Sequence, residues 1–259
     1  MGTLQLNYQS YGKGHPLIVL HGLFGMLDNW HSVGRMLGRD FRVFVLDQRN
    51  HGHSPHLAEM NYKVLAQDVR DFALQLHITS CYLLGHSMGG KVAMEAALRY
   101  PNLVDKLVVV DIAPRLYPSF HDAILEALTS LDLTAYKSRS DIDRALSTKI
   151  AELPVRQFLM KNLARNEDGS YRWKMNLAVI AQHYPELLQE IDSTVPFTKP
   201  VLFVRSLRSS YIGDKDIPEI HRLFPKSSFA DFDTGHWVHA ESPDGLIKTV
   251  TAFLLREKN

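Results

Sequence analysis

Residues 83–91 read Leu-Leu-Gly-His-Ser-Met-Gly-Gly-Lys, with a single serine framed by glycines. The preceding apolar run, residues 81–84, predicts a buried strand. The following run, residues 92–99, has apolar residues at helical spacing and stops before Pro101. The stretch therefore predicts a sharp turn from a strand into a helix, with the serine at the turn.

Ser87 lies in the pattern Gly-x-Ser-x-Gly, which is typical of a nucleophilic serine raised above the end of a sheet. Gly85 and Gly89 lack the side chains that would clash in such a turn. The amide of Met88 is then expected at a helix N-terminus, where a developing negative charge is stabilised. The same residues nearly match a phosphate-binding loop, but Val92 stands where that loop needs Ser or Thr for magnesium. The pattern thus favours a nucleophilic serine over a nucleotide site.

The composition is that of a globular protein without a strong charge preference. The chain has 259 residues, 45% of them hydrophobic, which suits one α/β domain with an insertion. Lys and Arg number 29 against 28 Asp and Glu, and this balance argues against nucleic acid as the main partner. A single cysteine, Cys81, leaves no intrachain disulfide and is expected in the core. No signal-peptide pattern and no apolar run of about 18 residues is present, so we expect a cytoplasmic protein without membrane insertion.

Buried strands alternate with helices along most of the chain. Apolar runs predict strands at residues 16–20, 41–46, 81–84, 106–110, 200–204 and 228–232. Helical spacing predicts helices at residues 29–37, 62–76, 92–99 and 217–224, and a closing helix after an N-cap at Ser242. This order predicts a parallel sheet covered by helices on both faces.

Polar residues follow the ends of four of these strands: His21, Asp47, Ser87 and Asp111. The carboxyl ends of parallel strands meet at one edge of a sheet, where binding sites of α/β proteins lie. These side chains are therefore expected close together.

Two segments depart from this alternation. Residues 4–11 alternate apolar and polar and predict an edge strand, which residues 12–14, Gly-Lys-Gly, would join to the next strand by a hairpin turn. Residues 115–196 predict amphipathic helices, among them one that carries Phe158, Leu159 and Leu163 and a last one over residues 177–188, interrupted at Pro185. They also predict one possible hairpin, around a turn at residues 166–169, but no buried strand. We expect this insertion to form a helical cap domain over a core of residues 1–114 and 197–259. Extra cover for the core without a role at the site is the alternative.

Four sequence groups carry a family resemblance: His21-Gly22, Asp47-Gln48-Arg49, residues 85–89 and Gly235-His236. In order and spacing the chain resembles the α/β-hydrolase family over nearly its whole length. Residues 20–25, 49–52, 86–91, 110–114 and 235–241 are similar to the YbfF-type bacterial esterases. The resemblance implies an α/β-hydrolase fold, with a mostly parallel sheet and an inserted helical cap. It also implies a serine esterase or thioesterase that uses no cofactor.

The resemblance implies roles for particular residues. Ser87 would be the nucleophile and His236, in the loop after the last strand, its base. The amides of Met88 and Leu23 would form the oxyanion hole, or that of Phe24 if the loop register differs by one. His86 neighbours the serine and is expected to shape the turn.

The acidic partner of the histidine must be chosen between two loops. Most of the family places it after the strand at residues 200–204, but here no carboxylate follows until Asp214 and Asp216. Asp111 directly follows the preceding buried strand, and Ile112-Ala113-Pro114 continues as an apolar path that would shield it. We therefore expect Asp111 to complete a Ser-His-Asp triad, with Asp214 or Asp216 as the alternatives.

The remaining expectations concern ligands. Phe24, Trp237 and Trp173 are candidate substrate-binding residues, and no metal site is expected, since His51 and His53 lack acidic partners at suitable spacing. The expected partner is a small acyl ester or acyl thioester, such as an acyl-CoA of short to medium chain length, acted on by a monomer or small homo-oligomer. Alternatives are other chemistry of the same fold, a C–C bond hydrolase or a menaquinone-pathway synthase, and a ligand receptor that does not turn over.

Overall fold

The computed structural model describes residues 4–256. Its strands are β1 (Tyr8–Tyr11), β2 (Pro16–Leu20), β3 (Arg42–Leu46), β4 (Cys81–His86), β5 (Val104–Val110), β6 (Leu163–Arg165), β7 (Tyr171–Trp173), β8 (Val201–Ser206) and β9 (Ser227–Phe232). Seven of them form one sheet in the order β1-β3-β2-β4-β5-β8-β9. Neighbours are parallel except β1 with β3, so the predicted, mostly parallel sheet is confirmed.

The predicted hairpin between the first two strands is wrong. β1 pairs with β3, with Tyr8 opposite Leu46, and β3 lies between β1 and β2. β2 is buried from its second residue, Leu17, to its end, and β3 and β4 pair with its two edges. β1 is also shorter than predicted, because the Asn7 amide donates to the Ser54 hydroxyl (2.8 Å) instead of to a ladder.

Helices cover both faces of the sheet. They are α1 (His31–Leu37), α2 (Tyr62–Gln75), α3 (Met88–Arg99), α4 (Asp122–Thr129), α5 (Arg139–Ser147), α6 (Leu153–Met160), α7 (Leu177–Gln182), α8 (Tyr184–Leu188), α9 (Ile217–Leu223), α10 (Val238–Glu241) and α11 (Pro243–Leu255), with short 3₁₀ turns at Leu27–Trp30, Leu133–Ala135 and Asp214–Asp216. Side chains of α2 and α3 share one buried cluster with one face of the strands, and those of α1 and α11 share another with the opposite face. Alternation along each strand thus fills two hydrophobic layers.

The elements between β5 and β8 are not part of the seven-stranded sheet. They comprise α4 to α8 and the two-stranded antiparallel hairpin of β6 and β7, whose turn is closed by Asn166 donating to Ser170 (2.8 Å). This confirms the predicted hairpin, but Leu163, expected on a helix, begins β6 because α6 ends at Met160. The last predicted helix is split at His183, and Pro185 lies in the first turn of α8, where no amide donor is needed.

Lys91 joins the root of this insertion to the helix that follows the serine. Its ammonium is buried and donates to the carbonyls of Arg115 (2.8 Å), Leu188 (3.3 Å) and Gln189. Residue 115 opens the insertion, and residues 188 and 189 lie near its end, so one side chain holds both ends against α3. Because its ammonium is bound to these backbone carbonyls, Lys91 matches a phosphate-loop lysine in its place in the sequence but not in its contacts.

Candidate active site

The serine occupies the predicted turn. Ser87 follows β4 directly and precedes α3, with φ 53° and ψ −122°, a conformation that costs energy for a residue with a side chain. A Cβ on Gly85 would lie 2.1 Å from the Gly89 carbonyl oxygen, and one on Gly89 would lie 2.4 Å from the His21 carbonyl oxygen. Only glycines permit so tight a turn, which explains the spacing of the motif.

His236 and Asp111 lie together at the same edge of the sheet. His236 Nδ1 is 2.8 Å from Asp111 Oδ2 although the two residues are 125 positions apart. The Asp111 carboxylate is fully buried, and it also accepts from the Ser206 amide (3.0 Å) and the Ser209 hydroxyl (2.6 Å). Three donors therefore fix this carboxylate, and the two serines are partners that the sequence pattern did not reveal.

The alternative carboxylates are occupied elsewhere. Asp214 is 90% exposed and pairs with Arg205 at 2.7 Å. Asp216 is buried, but its oxygens lie 3.0 Å from Arg115 Nε and 2.8 Å from the Gly213 amide that donates to it. Of the three candidate carboxylates, the structure brings Asp111 to His236.

His86 holds the loop that carries His236. Its Nε2 donates to the His236 carbonyl oxygen at 2.8 Å, and the two rings lie 4.6 Å apart. Burial lowers the pKa of His86 well below its usual range, and the neighbouring His236 and His239 lower it further, so the ring is neutral. The expectation that His86 shapes the serine turn was therefore incomplete, because its side chain positions the histidine loop.

Tyr211 covers the other side of that histidine. Its ring stacks on the His236 ring with 3.9 Å between centroids and 17° between planes. Burial raises the pKa of Tyr211 to about 12, so it remains a neutral phenol. The ring thereby limits the motion of His236 on the face that it covers.

The loop after β2 approaches Ser87 from the opposite side. A Cβ on Gly22 would lie 3.2 Å from the Ser87 Cβ, and Phe24 adopts a positive φ of 59°. Within residues 4–256, neither the Leu23 amide nor the Met88 amide donates to another protein group. Two free backbone donors beside a serine are the groups that an oxyanion hole requires.

A cavity of about 140 Å³ opens at the serine. Core residues line one side of it: His21, Gly22, Leu23, Phe24, Gly25, Asn29, Trp30, His86, Ser87, His236, Trp237 and His239. The insertion supplies the other side: His121, Ile124, Val155, Phe158 and Leu159. A second, smaller cavity of about 40 Å³ also contains Leu23, Ser87 and His121 and leads toward Lys91 and Tyr184.

Of the three candidate substrate-binding residues, two line the larger cavity and one lies outside both cavities. Phe24 and Trp237 line the larger cavity, and their contact with a substrate stays a prediction. Trp173 lies in the β6–β7 hairpin, packed against the core and outside both cavities, so the structure does not bring it to the site. His121 lines both cavities, and no periodic pattern in the sequence identified it.

Buried neutral histidines surround the site. Burial lowers the pKa of His21 to about 4 and the pKa of His51 and of His239 to about 3. His239 stacks on Trp30 with 4.5 Å between ring centroids, and its Nδ1 has no partner within residues 4–256. No group of three or more His, Cys, Asp or Glu in that range is arranged to hold a metal ion.

We expect these histidines to make stability depend on acid pH. Below an ordinary pKa of about 6.5 the unfolded chain binds a proton at His239 that the folded protein excludes, so stability falls as pH falls from about 6.5 toward 3. His239→Gln should lessen the total fall between pH 7.5 and 5 by about 2 kcal/mol, measured by urea unfolding, because one proton contributes its full slope of about 1.4 kcal/mol per pH unit only below the unfolded pKa. His53→Gln, at an exposed position, is the control and should leave the slope unchanged. Equal slopes for parent and His239→Gln would contradict the prediction.

Comparison with known proteins agrees with this architecture. Residues 15–243 match the family described as alpha/beta hydrolase fold. The chain is 41% identical to the sn-1-specific diacylglycerol lipase ABHD11 of Danio rerio, with 97% of this chain and 83% of that protein covered. It is 32% identical to Esterase YbfF of Escherichia coli K12, with 95% of each chain covered. A solved structure named as a marine microorganism esterase superposes with a TM-score of 0.94 at 40% identity, covering 96% of this chain and 99% of its own.

These matches confirm the resemblance to the YbfF-type esterases that the sequence motifs carry. None of the helices within residues 4–256 has the length and apolar character needed to cross a membrane. The chain therefore belongs to the alpha/beta hydrolase fold family, as a carboxylic ester hydrolase.

Proposed function

We propose that this protein is a serine carboxylesterase that hydrolyses short- to medium-chain acyl esters or acyl thioesters through Ser87, His236 and Asp111. The observation that carries the proposal is the 2.8 Å contact between His236 Nδ1 and Asp111, because His236 also lines the cavity that contains Ser87. A buried carboxylate that accepts from Nδ1 fixes the tautomer that leaves Nε2 free to act as a base. No metal or cofactor takes part in the proposed reaction.

The proposed reaction has two acyl-transfer steps. His236 Nε2 takes the Ser87 proton as Oγ attacks the acyl carbonyl carbon, and the same proton passes to the leaving alkoxide or thiolate as its bond to carbon breaks. Water then gives a proton to His236 and attacks the acyl-enzyme, which releases the acid and restores the Ser87 hydroxyl. In both steps Asp111 stabilises the positive charge that develops on His236.

The Leu23 and Met88 amides are proposed to bind the oxyanion of each tetrahedral intermediate. Support comes from their free N–H groups and from the position of Met88 at the first residue of α3, where the helix dipole favours negative charge. Phe24 is the alternative donor if the substrate binds one residue further along the loop.

We propose that residues 115–196 act as a cap domain over a core of residues 1–114 and 197–259, of which 4–256 are described. Apolar side chains of the insertion, such as Ile124 and Phe158, line the cavity with Trp237 of the core. This arrangement supports a role for the cap in acyl-chain selection. A relative is named as a diacylglycerol lipase, so a diacylglycerol belongs in any substrate panel.

Turnover tests the proposed function. A panel of p-nitrophenyl esters, acyl-CoAs and a diacylglycerol should give repeated turnover on at least one short- or medium-chain substrate. Release of no more than one equivalent of p-nitrophenol per chain, with no continued turnover of any substrate, would favour a ligand receptor instead. Activity on acyl-CoA but on no oxygen ester would restrict the enzyme to thioesters.

The cap should influence chain length more than basal rate. The Phe158 ring lies 5.4 Å from the Trp237 ring in the cavity, so Phe158→Ala should remove contacts to a hexanoyl chain that an acetyl group does not reach. The ratio of kcat/KM for p-nitrophenyl hexanoate over acetate should fall about tenfold. Trp173→Ala is the matched control, since Trp173 is an aromatic residue of the same insertion outside the cavity. Equal losses on both esters, or the same ratio change in the control, would indicate a structural role.

A cytoplasmic location and a monomeric or small homo-oligomeric state are also proposed. The location is supported by a single cysteine that is buried and free. Burial raises the pKa of this thiol to about 12, which makes it unreactive.

A further inference from the structure

His121 is a polar side chain that the insertion places beside the serine. It directly precedes α4 and lines both cavities that contain Ser87. The other insertion residues of the larger cavity, Ile124, Val155, Phe158 and Leu159, are apolar. The proposed mechanism gives His121 no role, although within residues 4–256 it is the one polar side chain that the insertion contributes to the lining of the larger cavity.

Tyr184 determines which nitrogen of His121 carries the proton. The Tyr184 hydroxyl oxygen accepts from two amides, those of Phe120 (3.2 Å) and His121 (3.0 Å). Both of its lone pairs are then used, so its own proton points to His121 Nδ1, 2.9 Å away. Nδ1 is therefore an acceptor, and the neutral ring carries its proton on Nε2.

The neutral form of His121 is favoured at physiological pH. Burial lowers the pKa of His121 to about 4, and the nearby His236 lowers it further. Nε2 forms no hydrogen bond to any of residues 4–256. The site thus contains a fixed N–H donor, supplied by the cap, with no protein acceptor.

We propose that His121 Nε2 donates a hydrogen bond to a second oxygen of the substrate, so that the enzyme prefers esters with an acceptor oxygen close to the scissile ester group. This inference rests on the proposed esterase function and adds a specificity-determining residue to it. The acceptor can belong to the alcohol or to the acyl part of the ester, because His121 faces both cavities.

Three esters of equal length separate these cases. Butyl hexanoate has no further oxygen, 2-methoxyethyl hexanoate has an ether oxygen in the alcohol part, and butyl 3-ethoxypropanoate has one in the acyl part. Intrinsic reactivity differs among them, but it cancels when the kcat/KM ratio of an ether ester to butyl hexanoate is compared between parent and variant.

His121→Phe keeps a ring and removes the donor, and it should lower this ratio about tenfold for at least one ether ester. Whichever ether ester is affected shows whether His121 binds an oxygen in the alcohol part or in the acyl part of the substrate. His121→Gln, whose carbonyl can accept from Tyr184 while its amide donates, should keep the ratio within about threefold of the parent. Trp173→Ala, in the same insertion but outside both cavities, should leave the ratio unchanged.

An equal effect of His121→Phe on all three esters, or no effect on any, would overturn the proposal. Turnover of butyl hexanoate by the parent protein reports separately on the proposed function. Nitrogen-15 NMR provides a test that needs neither turnover nor a variant: His121 should show an unprotonated Nδ1 and a protonated Nε2 at pH 7. A protonated Nδ1 would also overturn the proposal.

Discussion

Ser87→Ala is expected to lower kcat for ester hydrolysis by about 10³-fold or more while the protein remains folded. The substitution removes one hydroxyl group. It adds no backbone strain, because alanine and serine are similarly strained at the positive φ of this position. The side chain caps no helix amide, so α3 loses no hydrogen bond. The loss should therefore appear in rate, measured with a p-nitrophenyl ester, and not in the midpoint of thermal unfolding.

Binding of a substrate analogue distinguishes loss of the nucleophile from loss of the folded cavity. Binding of a non-hydrolysed substrate analogue should persist in Ser87→Ala, because the cavity walls and the two free amides remain. A folded variant with more than about a tenth of the parent activity would remove Ser87 from the mechanism.

Asp111→Asn is expected to reduce kcat by about 10²- to 10⁴-fold. Oδ1 accepts from the Ser206 amide, so the oxygen of an asparagine is held in that place and its NH₂ group falls where Oδ2 was. There the NH₂ group meets the N–H of His236 Nδ1, and two donors face each other at the site of a 2.8 Å contact. The imidazole must then take the other tautomer or turn away, and its positive form loses its partner.

Asp214→Asn is the matched control for this prediction. Asp214 is exposed and pairs with Arg205, so the same chemical change there should leave kcat within about threefold of the parent. Asp216→Asn should also retain activity, although the loss of a charge next to Arg115 can lower stability. If a folded Asp111→Asn kept most of its activity while one of the other two variants lost it, the carboxylate would be misassigned.

The sequence predicted the parts of the fold that depend on local pattern. Parallel strands buried on both faces appear as apolar runs, and each helix that packs on them has one apolar face, so β2 to β5 and α2 are recognisable without a structure. The order of strands is a tertiary property. In the sheet β3 lies between β1 and β2, but the sequence of the turn at residues 12–14 does not indicate this. The hairpin prediction failed for that reason.

The candidate site was predictable where its residues follow strand ends. Asp111 and Ser87 each come directly after a buried strand, and the end of a strand fixes their position within about a residue. His121 and Tyr211 lie in irregular loops, where neither periodicity nor a motif fixes the direction of a side chain. Trp173 was selected for its residue type alone, and the β6–β7 hairpin places it outside the cavity.

The central claim is that Ser87 is the residue acylated during turnover. The most direct measurement is to inactivate the parent protein with an organophosphonate and to locate the adduct by peptide mass mapping. The account predicts one adduct per chain, on Ser87, formed in proportion to the loss of esterase activity and prevented by a competing ester. Stoichiometric inactivation with the adduct on any other residue would contradict it.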